Sequence, residues 1–145
     1  MNLSPNFTLE ELTASETAVR HGLDNTPSPI AYQNLVRLAN FLEEVKKVLG
    51  GKPVMINSAY RGPLVNAAVK GSKNSQHLIG CAADIRVFGM TPDAVCRAII
   101  ASDIQYDQLI REFESWTHIS IPDKEGSTPR GQTLIIDRAG TRPFV

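Results

Sequence analysis

The sequence predicts an α+β domain in which helices flank a mostly antiparallel sheet. Three observations predict it. The stretch from about Ile30 to Leu49 carries Leu35, Leu38, Leu42, Val45 and Leu49 at spacings of three and four, one apolar helical face. Short, partly β-branched runs, VMINSAY and AADIRVF, are bounded by proline and glycine as strands are. Two further runs, QLIREF and WTHISI, stand around a short turn at Glu114–Ser115.

The elements follow in chain order. Thr8, with Glu11 three positions on, is a capping-box pattern and opens a short helix. Residues 21–29, HGLDNTPSP, are rich in turn formers and predict a loop. The long helix follows, with Glu43, Glu44, Lys46 and Lys47 on its solvated face and Gly50 and Gly51 as its stop. Val54–Tyr60 reads as a strand between Pro53 and Gly62. Pro63–Lys70 fits one or two helical turns. GSKNSQHLIG is polar and glycine-bounded, a loop leading into the strand AADIRVF. Thr91, Pro92 and Asp93 open another helix, running to roughly Ser102. QLIREF and WTHISI come next, and TLIID is a last short strand after the loop DKEGSTPRG.

Composition excludes several classes. The chain has 145 residues, the span of one domain over 1–145. Lys+Arg is 15 and Asp+Glu is 15, so the net charge is zero. Proteins that live on nucleic acid or on anionic membrane surfaces usually carry a basic surplus, so neither partner is expected. Two cysteines are too few for a disulfide scaffold. The start, MNLSPNFTLEELTAS, has no basic segment followed by an apolar run, and no stretch approaches the roughly 18 apolar residues of a membrane span. The expectation is a protein first held in the cytoplasm, not inserted in a membrane, with Cys81 and Cys96 as buried reduced thiols.

Three residues stand out as metal ligands: His77 in the polar loop, Asp84 within AADIRVF, and His118 within WTHISI. An aspartate or histidine inside an apolar strand is costly unless paired, hydrogen-bonded or metal-bound. Two imidazoles and a carboxylate make a catalytic zinc set, with the fourth position left to water. Plainer readings stand beside this one. A strand histidine is more often a satisfied core residue, and Asp84 can cap a turn or pair with Arg86. His21 reads as a surface residue.

Ser75-Gln76-His77-Leu78-Ile79-Gly80-Cys81-Ala82-Ala83-Asp84 resembles the SxHxxGxAxD motif of the zinc D-Ala-D-Ala carboxypeptidases, peptidase family M15, with every fixed position filled. Ser58-Ala59-Tyr60-Arg61 with Asn66 is similar to the family's SGYRS…N segment, and Trp116-Thr117-His118 resembles its WxH strand. Phe7-Thr8-Leu9-Glu10-Glu11, Asn25-Thr26-Pro27 and Asn34-Leu35 look like the short phage- and prophage-type members. The likeness covers roughly residues 5–122 and implies the fold shared by these peptidases and the hedgehog signalling domain.

The resemblance implies a Zn2+ cofactor on His77, Asp84 and His118, and a peptidoglycan stem peptide as substrate. The bond would be D-Ala-D-Ala or, as in some phage endolysins, L-Ala-D-Glu. Arg61 matches the arginine that binds and polarises substrate; its bland reading is a surface ion pair. Ser75 and Gln76 border the first ligand, to contact substrate or brace the loop. Many members carry a glutamate three residues before the last histidine ligand; here that position is Ser115, which cannot act as a carboxylate. Glu112 is the favoured general base, because the turn after QLIRE folds it beside WTHIS, with Glu114 as the alternative. Trp116 packs beneath the site or simply in the core. A phage-type enzyme of this kind would depend on a holin to reach the wall. The departure at Ser115 keeps rival readings open: a non-catalytic zinc module or a phage structural or assembly protein on the same fold, or a metal-free α+β binding domain.

Overall fold

The computed structural model describes residues 1–144. Short strands β1 (Asn2–Ser4) and β2 (Phe7–Thr8) form a small ribbon ahead of helix α1 (Leu9–Thr13). The Thr8 hydroxyl accepts the Glu11 N–H at 3.1 Å, and Glu11 Oε1 accepts the Thr8 N–H at 3.1 Å, so the capping box forms as expected. The ribbon was not expected, because its strands are too short to show alternation. It is held by Glu43 on the long helix, whose carboxylate takes Ser4 Oγ at 2.6 Å and Asn6 N at 2.7 Å.

Helix α2 (Glu16–His21) was also unexpected, and its last residue shortens the predicted loop by one. Its signals are Ser15, whose hydroxyl accepts the Ala18 N–H, and Gly22, left-handed at φ 62°. Helix α3 (Pro29–Val48) is the predicted long helix, capped by Ser28 and buried along Leu35, Leu38, Leu42 and Val45. Strand β3 (Val54–Ser58) stops two residues short of Tyr60. There the Tyr60 N–H turns to Leu12 O at 2.8 Å and leaves the ladder.

Next come α4 (Pro63–Ala68), a 3-10 turn (Gln76–Ile79), β4 (Ala82–Val87), α5 (Pro92–Ile100), β5 (Gln108–Glu112), β6 (Trp116–Ser120), β7 (Gln132–Asp137) and β8 (Gly140–Pro143). The loop predicted over 71–80 therefore carries a helical turn, and β8 adds a strand the sequence reading left out.

The main sheet has six strands in the order β3-β4-β6-β5-β7-β8. All neighbours are antiparallel except β5 and β7, paired from Gln108↔Gln132 to Glu112↔Ile136. The exception has a simple cause. β6 returns the chain to the end of the sheet where β5 begins, so the loop after it delivers β7 pointing the same way as β5. The Gly131 N–H on Tyr106 O and the Gln132 N–H on Asp107 O, each 3.0 Å, fix that start.

Side chains alternate across a strand. Ala83, Ile85, Leu109 and Ile119 join one core with α3 residues and with Val95, Cys96 and Ile99 of α5. Cys81 and Cys96 are buried and unpaired in this core, and burial pushes each thiol up to about 11. The other sheet face carries Asp84, His118, Ile110 and Glu112. Among the described residues, no helix is long and apolar enough to cross a membrane.

Candidate metal centre

Asp84 and His118 are direct register partners across β4 and β6, and Asp84 is also the partner of Ser58 on β3. Asp84 Oδ1 lies 3.0 Å from His118 Nδ1, and its Oδ2 lies 3.4 Å from His77 Nε2. The two imidazoles meet edge-on, centroids 5.2 Å apart. Each of the three residues offers a ligand atom, and these atoms lie within 4.8 Å of one another. All three residues are buried: His77 at 3% exposure, Asp84 and His118 at 8%. The set that the sequence brought into view is thus one cluster, and its donors fit a divalent metal.

His77 reaches it from the 3-10 turn. Its Nδ1 lies 2.6 Å from Ala59 O, and a carbonyl only accepts, so Nδ1 carries the proton and Nε2 presents a lone pair to the cluster. Ser75 Oγ accepts the His77 N–H at 3.2 Å, and Gly80 closes the turn in the left-handed region at φ 78°. A Cβ on Gly80 would sit 2.7 Å from Ala31 O on α3, so the glycine is there for close approach of two backbones. Asn34 on α3 completes the anchor through its Nδ2 on Ile79 O at 2.8 Å.

The electrostatics pull in two directions. Burial works against the charged form of Asp84, but the contacts of its two oxygens with the His118 and His77 imidazoles prevail and hold its carboxyl well below the usual range. Glu112 moves the other way. Burial, then the charge of Asp84, pushes it above its ordinary value, while His118, the Trp116 N–H and His77 oppose the rise. Burial depresses the Arg61 guanidinium against the favourable charges of Asp84 and Glu112.

These residues line one cleft of about 410 Å³, with His77, Asp84, His118, Glu112, Arg61, Ser75 and Gln76 all on its wall. Among the described residues Arg61 Nε is buried without a partner, and Nη2 reaches Ser75 Oγ at 3.4 Å. The surface ion pair considered for Arg61 is therefore not its setting. Of the two tasks expected of Gln76, substrate contact or bracing the loop, its hydrogen bonds show the second. Its amide NH2 faces Asp107 Oδ2 at 3.0 Å, Ile121 O at 3.0 Å and Asp123 Oδ1 at 2.8 Å, so its donors brace the turn from within. Glu114 has a side chain 76% exposed and borders other clefts, not this one. Ser115 is a brace for the turn: its carbonyl accepts Arg86 Nε–H at 3.1 Å.

The sequence reading missed Asp107 and Arg130. Asp107 is 4% exposed, and its Oδ2 takes Arg130 Nη2 at 2.6 Å and Nε at 3.0 Å. Arg130 comes from the loop before β7 and lines the cleft, sharing Asp107 Oδ2 with Gln76 of the turn that carries His77. The available signal was an aspartate at the mouth of an apolar strand, YDQLI, which needs a partner.

A family model described as peptidase M15 matches residues 5–120. No curated protein matches the chain.

Proposed function

This chain belongs to the peptidase M15 family, and from that premise we propose a zinc-dependent peptidase that hydrolyses an amide bond in peptidoglycan stem peptides. The observation that carries the reading is the preset donor set. His77, Asp84 and His118 converge in a cleft that also holds a half-buried carboxylate and an arginine. When bound there, zinc supplies Lewis acidity to a water and to the scissile carbonyl.

The chain's own groups would do the rest. Glu112 takes the proton of the attacking water and returns it to the leaving amine; its raised proton affinity suits both halves of that task. Arg61, with Nε lacking a protein partner, donates to the substrate carbonyl or to a carboxylate and stabilises the developing oxyanion. The Ser75 hydroxyl, beside Arg61 on the same wall, is free to donate to the peptide. Glu112 on the cleft wall supports this reading over the non-catalytic zinc module that Ser115 kept open, since it offers a carboxylate where Ser115 cannot.

Digestion of purified peptidoglycan, followed by mass spectrometry of the fragments, tests the reading. Zinc-loaded protein is expected to release D-Ala from pentapeptide stems or to cut between L-Ala and D-Glu. Unchanged fragments from protein with stoichiometric zinc would overturn the peptidase reading in favour of the zinc module.

A further inference from the structure

We propose that Trp116 is a positioning residue whose indole N–H holds the Glu112 carboxylate in place as the proton acceptor of this site. The inference rests on the peptidase reading and adds a task that the reading does not assign. Glu112 and Trp116 are register partners at the turn end of the β5–β6 hairpin, the last residue of β5 facing the first of β6. Trp116 Nε1 donates to Glu112 Oε2 at 2.9 Å, and among the described residues Oε1 takes no such bond. Both side chains line the cleft.

Three features make the contact more than a satisfied indole. A half-buried tryptophan N–H needs an acceptor, but backbone carbonyls serve that end without burying a charge. The turn that sets the pair opposite each other is strained. Phe113 and Glu114 are both left-handed, φ 52° and 53°, and neither is glycine. It is pinned from both sides by Ser115 N–H on Glu112 O at 2.9 Å and Phe113 N–H on Ile136 O at 2.8 Å. Trp116 also lies two residues from His118 on the same face of β6. The indole therefore couples the carboxylate to the strand that presents a donor of the metal cluster. Without that bond, Glu112 rotates freely about its terminal torsions while the cluster stays put.

Trp116 is the only tryptophan of the chain, so its indole gives one N–H resonance in solution. The test pairs that resonance with kinetics of zinc-loaded Trp116→Phe, which keeps an aromatic ring and removes the donor. On peptidoglycan, kcat is expected to fall about tenfold, part of the roughly 10²–10⁴ that a general base supplies. KM should stay within about twofold and zinc content should not change. In wild type the indole proton should resonate downfield, and it should move upfield in Glu112→Gln. An unchanged kcat in Trp116→Phe, or an indole resonance indifferent to Glu112→Gln, overturns the assignment. The resonance decides even where the variant folds poorly. A wild type that cleaves nothing overturns the peptidase reading and the catalytic purpose of the contact together, whereas an indifferent resonance overturns the contact alone.

Discussion

Burial and the charge of Asp84 push the Glu112 carboxyl upward, while Glu114, two residues along, lies in solvent and borders other clefts. The same side-chain chemistry is thereby divided between a half-buried carboxylate in the cleft and a surface charge. The sign of the shift makes a prediction. A carboxyl whose folded pKa is raised contributes stability as the neutral acid below its ordinary value of 4.5, and that contribution is lost as pH rises through the folded value. At pH 7, chelated Glu112→Gln should therefore need more denaturant to unfold than chelated wild type, and the gap should close below the ordinary value. The same variant should lose about 10²–10⁴ in hydrolysis. A substitution that destabilises at pH 7, or that keeps full activity, would remove Glu112 from the mechanism.

The 3-10 turn carries the residues that the helix and the sheet must agree on. It presents His77 to the cluster only while α3 presses against Gly80 and Asn34 holds Ile79. Gly80→Ala should cost about 1–2 kcal/mol from the left-handed backbone alone. The methyl would also meet Ala31 O, which belongs to a helix backbone and cannot swing aside. The turn must shift and take the Nδ1 bond of His77 with it. Zinc affinity, measured by competition with a chromophoric chelator, should fall about 10- to 100-fold. Gly89 is the control: it has φ +76° with nothing within 4 Å of an added Cβ, so Gly89→Ala should bear the backbone strain and keep its zinc affinity. Equal affinities for the two variants would refute the account.

At the scale of the molecule, helices cover one face of a twisted sheet and the cleft opens on the other. Leu35, Leu38 and Leu42 are fully buried against the first face, each worth about 1.5–3 kcal/mol in burial. The second face gathers donors from the turn before β4, from β4 itself and from β6. A metal there would tie together three separate elements, so binding should be linked to global stability. With free zinc at about 100 times its Kd, unfolding should cost about 2.7 kcal/mol more than in chelator. Thermal unfolding at stepped zinc concentrations reads this directly. A midpoint independent of zinc would count against the site, whatever the activity.

Much of this was legible in the chain. Leu35, Leu38, Leu42 and Val45 marked α3, Thr8 and Glu11 marked α1, and Thr91 with Pro92 marked α5, because periodicity and capping are local physics. Asp84 and His118 were also legible, since polar residues within apolar segments demand partners, and His77 was legible through the motif that resembles peptidase M15. The β1–β2 ribbon was not, because a carboxylate on α3, dozens of positions away, holds it together. Nor was the parallel pairing of β5 with β7, which follows from where β6 leaves the chain. The sequence by itself determined which donors exist and which elements carry them. Only the tertiary structure decided that Glu112, and not Glu114, shares their cleft, that Gln76 turns inward to Asp107, and that an indole grips the carboxylate. Those outcomes depend on register and strand order, which bring together residues that no local pattern relates.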